Sequence, residues 1–199
     1  MSTMTIENVS RRNFLQGVAG LTLSFCLPAI AAPAAAGKAA TVSFEPNAFL
    51  RIGSDNSVTV IAKHLEMGQG TYTGLGTILA EELDADWKTV RIAGAPADAS
   101  RYNNLFWGPA QGTGGSTAMA NSWDQLRQAG ASARVMLVSA AAKRWKVAAA
   151  EITVRDGIVS HPPSKRSLRF GELAADAAKE AVPANVVLKE SKDFRLVGK

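Results

Sequence analysis

Two short strings in this chain hold the residue types best suited to gripping a polar ligand. The first is His64-Leu65-Glu66-Met67-Gly68-Gln69-Gly70-Thr71-Tyr72-Thr73. Its glycines let a backbone come close to a ligand. Gln69 offers a donor and an acceptor, and Thr71 a hydroxyl. The string stands where a strand pattern gives way to a helix pattern, and the free N–H groups of a helix start attract anions such as phosphate. It lacks the G-K-[ST] ending of a P-loop and the G-x-G-x-x-G spacing of a dinucleotide fold, so ATPase and Rossmann readings both fit poorly. A plain turn with a helix cap is consistent with the same residues. The second string, Gln111-Gly112-Thr113-Gly114-Gly115-Ser116-Thr117, also closes a loop at a helix start. Glycine turns followed by hydroxyl caps suit anions; simple loop closure with Ser116 as the cap is the alternative. Two such strings, each opening a helix, lead us to expect one cleft at the ends of neighbouring strands.

The remaining candidates are weaker. His64 is a possible general base, but a strand-end histidine with no aspartate nearby in sequence reads as structural. Asp98-Ala99-Ser100-Arg101-Tyr102-Asn103-Asn104 reads as a structured surface loop more than as a ligand contact. Phe106 and Trp107 in the same loop would plug a core or a domain interface. Glu81, Glu82, Asp84 and Asp86 read as a solvated helix end, not a metal site. No nucleophile elbow or Ser/His/Asp order is found.

The elements that must position these strings follow from periodicity. Phe49–Ile52 and Ser57–Ala62 are short β-type runs around a Gly53-Ser54-Asp55-Asn56 turn. Thr71–Leu83 carries a helical stripe of Leu75, Ile78, Leu79 and Leu83, with Glu81 and Glu82 on the wetter side. Thr89–Ile92 is a strand. Gly94–Gly115 is a long loop, of a length that is usually functional. Ser116–Val147 is a long Ala-rich helix with a possible break near Gly130. Ile152–Val154 and Ile158–Val159 flank Asp156-Gly157, the strongest hairpin signal in the chain. Phe170–Glu180 is a short helix begun near Ser167, and Val186–Gly198 is extended or irregular. This order predicts an α+β (α/β-like) fold, a small mixed sheet packed by two to three helices.

Composition bounds the rest. Of 199 residues, 47% are hydrophobic and 20% charged, a globular balance. One cysteine and two histidines argue against a disulfide framework, a multi-cysteine zinc or iron–sulfur site and a His-rich metal site within the chain. Residues 1–125 carry 8 Lys/Arg against 10 Asp/Glu, and residues 126–199 carry 14 against 7. The basic half is scattered, without dense runs or interleaved aromatics, which argues against a nucleic-acid partner. At the start, Ser10-Arg11-Arg12-Asn13-Phe14-Leu15 precedes a moderately apolar run to Ile30 and Ala-x-Ala sites. That arrangement resembles a bacterial twin-arginine signal, so export to the periplasm is expected, with the mature chain starting between Ala32 and Lys38. Cys26 lies in that signal. The organisation expected is signal and cleavage region at 1–36, linker at 37–46, a ligand-binding domain at 47–185 and an extended segment at 186–199.

The string Lys63–Thr73, together with Glu82–Trp87, Arg101–Asn104 and Gly112–Thr117, resembles the molybdopterin-binding large subunits of the xanthine dehydrogenase/aldehyde oxidase family. The exported, isoquinoline 1-oxidoreductase β-like branch is the nearest in flavour. The resemblance implies that Gly68, Gln69, Gly70 and Thr71 contact the pterin. It places Gly112, Thr113, Gly114, Gly115, Ser116 and Thr117 near the same cofactor, expected to be molybdopterin cytosine dinucleotide. It assigns no catalytic or metal-binding residue to this chain. It implies hydroxylation of aldehydes or N-heteroaromatics with water-derived oxygen, the electrons passing to iron–sulfur clusters of a partner small subunit. Family large subunits are several times longer, so the chain is expected to be one part of such a subunit, inactive without the remaining domains. A non-catalytic periplasmic interaction or assembly module that kept the fold is the alternative.

Overall fold

A computed structural model of the chain describes residues 43–199. The export signal expected at 1–36 and the first part of the linker lie outside the described residues. The main sheet has four strands in the order β1 (Ser43–Asn47), β2 (Leu50–Gly53), β3 (Val58–Ala62) and β4 (Val90–Gly94). The first three are antiparallel neighbours, and β3 and β4 run parallel, pairing from Val58 with Val90 to Ala62 with Gly94. A parallel pair needs a crossover, and α1 (Thr71–Leu83) provides it. After β4 come a one-turn helix, α2 (Ala99–Tyr102), and the long α3 (Ala118–Trp145). A second sheet, β5 (Thr153–Arg155), β6 (Ile158–His161) and β7 (Arg166–Arg169), is antiparallel and leads into α4 (Phe170–Ala177). The α+β architecture expected from sequence is the one observed. β1 occupies residues expected to belong largely to the linker.

The core lies between the main sheet and the helices. Val58 and Val60 of β3 face Leu75, Ile78, Leu79 and Leu83 of α1, and α3 adds Leu126, Ala133, Met136 and Leu137, all buried. The helix stripe read from sequence is therefore the buried stripe. α3 runs unbroken through Gly130. A Cβ there would stand 2.5 Å from the carbonyl oxygen of Leu79 and 3.1 Å from Cβ of Glu82. The glycine is a point of close helix crossing, not a break.

Two expectations need correction. Arg166–Arg169 is a strand paired with β6, not the start of a helix. The chain turns at Pro162–Ser164 with Lys165 at φ 56°, which sends it back along β6, and α4 begins only at Phe170. The Glu172 carboxylate accepts from the N–H of Arg169 at 2.7 Å and so fixes that start. Second, Glu81 and Glu82 are not on a wet face; they are 2% and 0% exposed. The tail 186–199 is docked onto those carboxylates. Glu81 Oε2 accepts from the backbone N–H groups of Arg195, Leu196 and Val197 at 2.8, 2.6 and 3.1 Å. Lys189 Nζ meets Glu81 Oε1 at 2.9 Å and Asp84 Oδ1 at 2.7 Å, and Arg127 Nε meets Glu82 Oε1 at 2.7 Å. Burial raises the Glu81 pKa, but the hydrogen bonds from Leu196, Lys189, Val197 and Arg195 outweigh it and hold the carboxyl below its ordinary range.

Candidate functional site

Because β3 and β4 are parallel, the segments that follow them leave the sheet at the same edge. The segment after β3 is Lys63–Gly70, which ends at the start of α1. The segment after β4 runs from Ala95 to Thr117 and ends at the start of α3. The two glycine-rich strings are thereby brought together across a cleft of about 340 Å³. Met67, Gln69 and Thr71 line one side, and Thr113, Gly114, Ser116, Thr117, Ala118 and Met119 the other. A hollow of about 650 Å³ beside α3 and β5 is larger, but Val135, Val138, Ile152 and Val154 make it mainly apolar.

The two sides are stitched by direct bonds. The N–H of Leu65 donates to Oγ1 of Thr113 at 2.7 Å. His64, 1% exposed, bridges three elements. Its Nδ1 lies 3.0 Å from the carbonyl oxygen of Gly112, which can only accept, so Nδ1 carries the proton. Nε2 then accepts from Nδ2 of Asn121 at 3.2 Å, and the other hydrogen of Nδ2 goes to the carbonyl of Thr117 at 2.6 Å. Burial pushes the His64 pKa down, against the raising effect of the bonds to Asn121 and Gly112. Both nitrogens are spent on holding the cleft together, so the structural reading of His64 prevails over the general base. Its neighbour Lys63 is buried too. Its ammonium donates to Oε1 of Gln125 at 2.7 Å, and burial pushes its pKa down to about 8.

The first string is ordered by its own side chains. The Glu66 carboxylate accepts from the N–H groups of Gly68 at 2.7 Å, Gly70 at 3.1 Å and Tyr72 at 2.9 Å. Gln69 closes the loop from the other side: its Nε2 donates to the carbonyl of Leu65 at 2.8 Å, and its Oε1 accepts from the N–H of Met67 at 2.7 Å. Gly68 and Gly70 sit at φ 95° and 81° with nothing within 4 Å of where a Cβ would stand. Of the free N–H groups expected at the start of α1, those of Gly70 and Tyr72 are therefore taken by Glu66.

The second string is built differently. Gly115 and Ser116 are both left-handed, at φ 62° and 55°, and the cap position of α3 is Thr117, not Ser116. The Thr117 hydroxyl turns back to the carbonyl of Gly114 at 2.9 Å and accepts from Nδ2 of Asn104 at 2.9 Å, leaving the first turn of α3 without a side-chain cap. Gly112 and Gly114 make room for an aromatic ring, since a Cβ on either would meet the Trp107 ring at 2.5 and 3.1 Å.

The long loop is held by amide side chains. Asn104 is fully buried and also accepts from the N–H of Phe106 at 3.1 Å, while Gln111 spans Pro96 and Asp98. Tyr102 anchors α2 through its hydroxyl to the carbonyl of Ala48 at 2.8 Å. Phe106 and Trp107 plug no core in this structure; they are 61% and 45% exposed. Sequence reasoning missed the buried brace Asn121. Its neighbours Ser122, Asp124 and Gln125 are polar too, so neither its type nor its spacing set it apart. The same reasoning named Glu66 without giving it a role.

A family model described as a molybdopterin cofactor-binding domain matches residues 7–196. The chain is 40% identical over 173 residues to isoquinoline 1-oxidoreductase subunit beta of Brevundimonas diminuta, covering 84% of this chain and 22% of that protein. It is 32% identical over 201 residues to a membrane-bound aldehyde dehydrogenase (pyrroloquinoline-quinone) of Gluconacetobacter polyoxogenes, covering 96% and 25%. The chain thus spans about a quarter or less of the length of these relatives. Among solved structures it is similar to a Cu,Mo-CO dehydrogenase in its carbon monoxide reduced state, with a TM-score of 0.50, 22% identity and coverage of 63% of this chain and 15% of that one.

Proposed function

Because this chain belongs to the molybdopterin cofactor-binding domain family, we propose that it forms one wall of the cofactor site in an exported molybdenum hydroxylase. The observation that carries this reading is the cleft between the two strings, Gly68–Thr71 and Gly112–Thr117. Its donor set fits a polar, phosphate-bearing group. Thr71, Thr113 and Ser116, with their hydroxyls, and Gln69, with its amide, line it, and among the described residues no acidic side chain does. The open space beside Gly68 and Gly70 admits a ligand to the backbone.

When bound, molybdopterin, in the cytosine dinucleotide form by this reading, supplies the redox centre for hydroxylating an aldehyde or N-heteroaromatic carbon with water-derived oxygen. The chain's own residues bind and orient it: Gly68, Gln69, Gly70 and Thr71 from one side, Gly112 to Thr117 from the other. The Gln69 amide would exchange its bonds within the loop for bonds to the pterin. His64 and Glu66 are both engaged and no other base lines the cleft among the described residues, which supports the reading that turnover requires the remaining large-subunit domains. Electrons would leave through an iron–sulfur small subunit. The residues at 1–36 supply the twin-arginine export step, and the periplasm is the destination.

The test is molybdenum and pterin content of the purified chain, alone and co-expressed with the remaining large-subunit domains and the small subunit. Molybdenum in the complex, absent from the chain alone and reduced in a Gln69→Ala complex, is the expected result. A properly assembled complex without molybdenum would overturn the proposal in favour of a non-catalytic module.

A further inference from the structure

We propose that Glu66 is the positioning residue of this cleft, a built-in anion that fixes the Met67–Tyr72 backbone in the shape a ligand meets. This deepens the cofactor reading and rests on it for the identity of the ligand. The observation is geometric. One carboxylate takes three N–H donors from a single short stretch, Gly68, Gly70 and Tyr72, at 2.7, 3.1 and 2.9 Å. Two of the three donors are glycines at positive φ, the backbone form that aims successive N–H groups at one point. Glycines otherwise leave such a loop its largest conformational freedom. The Gly70 cap position of α1 has no side-chain hydrogen bond of its own, so the Glu66 carboxylate does what a capping residue does, from four residues upstream of the cap. Its hydrogen bonds, that from Tyr72 foremost, hold its pKa below the ordinary range, so it is charged at neutral pH.

This assignment has a consequence for specificity. A ligand phosphate meets the start of α1 with the N–H groups of Gly68, Gly70 and Tyr72 already engaged by a carboxylate, so its contacts there fall to side chains such as the Thr71 hydroxyl. Met67 and Gln69 are instead carried toward the opposite wall on a loop that is rigid before the ligand arrives, which lowers the ordering cost of binding.

The experiment uses amide hydrogen exchange of the full chain and pterin content of the assembled complex, with Glu66→Ala as the variant and formate as the probe. Glu66→Ala should lower the protection of the Gly68, Gly70 and Tyr72 amides about tenfold or more while leaving core amides unchanged. Formate should restore that protection in the variant and do nothing to the wild type. Inorganic phosphate should leave the wild-type amides unmoved. In the complex, Glu66→Ala should lose pterin as Gln69→Ala does, and formate should return it. Unchanged loop protection, or lost protection that formate does not restore, would overturn the assignment. So would a loosened Glu66→Ala loop with full pterin content while Gln69→Ala loses pterin. If the formate effect appears and neither variant alters pterin content, Glu66 is confirmed as the loop's anchor and the cofactor reading of the cleft fails instead.

Discussion

Gly130→Ala is the substitution that most sharply tests the packing, because two effects predict opposite signs. In a helix interior, alanine is favoured over glycine by about 1 kcal/mol. Here the new methyl would stand 2.5 Å from the carbonyl oxygen of Leu79 and 3.2 Å from the nitrogen of Leu83, both backbone atoms that cannot rotate away. Relief requires α1 and α3 to separate by about 1 Å, and overpacking of this kind costs about 1–3 kcal/mol, more where backbone must move. With backbone atoms as the neighbours the upper end of that range, about 3 kcal/mol, applies, so we expect net destabilisation of about 2 kcal/mol, a fall in melting temperature of roughly 4–8 °C for a domain of this size. Gly74→Ala provides the control. Its methyl would meet only the flexible end of Met119, at 2.7 Å from Cε, and that side chain is partly exposed and free to swing. It should be neutral or stabilising by up to about 1 kcal/mol. Urea unfolding monitored by circular dichroism measures both. A stabilised Gly130→Ala, or equal shifts for the two variants, would refute the close crossing.

Three further outcomes are expected. Lys189→Met leaves Glu81 and Asp84 without their shared ammonium and should destabilise by about 3 kcal/mol, read from the urea midpoint. The lowered pKa of His64 means that the unfolded chain binds its proton first as pH falls. Stability should therefore decline below pH 6.5, the ordinary histidine value, and His64→Gln should flatten that decline in a series of melts from pH 7.5 to 5. Lys63, with its pKa at about 8 against an ordinary 10.5, makes the unfolded chain the better proton binder between those values, so stability should gain from this group as pH rises through that window. Lys63→Met should lose that slope; a parallel pH–stability curve for the two proteins would count against a buried ammonium.

Sequence pattern disclosed most of the scaffold because the stripe Leu75, Ile78, Leu79 and Leu83 and the Asp156-Gly157 turn are local signals with local causes. It also disclosed the two strings, since glycine and hydroxyl residues ahead of apolar runs mark helix starts. The errors were of one kind. Glu81 and Glu82 look solvated by type, and only the distant Lys189, Arg127 and backbone of 195–197 make their burial tolerable. Arg166–Arg169 carries no period of its own and becomes a strand because β6 offers it an edge. Glycines 112 and 114 suggest ligand approach when read in isolation, but here they also accommodate Trp107. Each case depends on a partner that sequence spacing does not reveal.

The in-register pairing of Ala62 with Gly94 acts as a ruler for the cleft. Both connecting segments leave their strands at one height, and His64 reaches Gly112 because it stands two residues past that line. One residue inserted into either strand would offset the two exits by about 3.3 Å. If it fell in β3, it would also turn the following side chains to the opposite face, carrying the imidazole away from Asn121. The exposed span between Asn104 and Ala110 is under no such constraint, since its two ends are tied to each other by the bond from the Asn104 N–H to the Ala110 carbonyl at 2.9 Å. Length variation among proteins of this architecture should therefore accumulate in that span, where it would reshape the rim of the cleft without disturbing the distance between its walls.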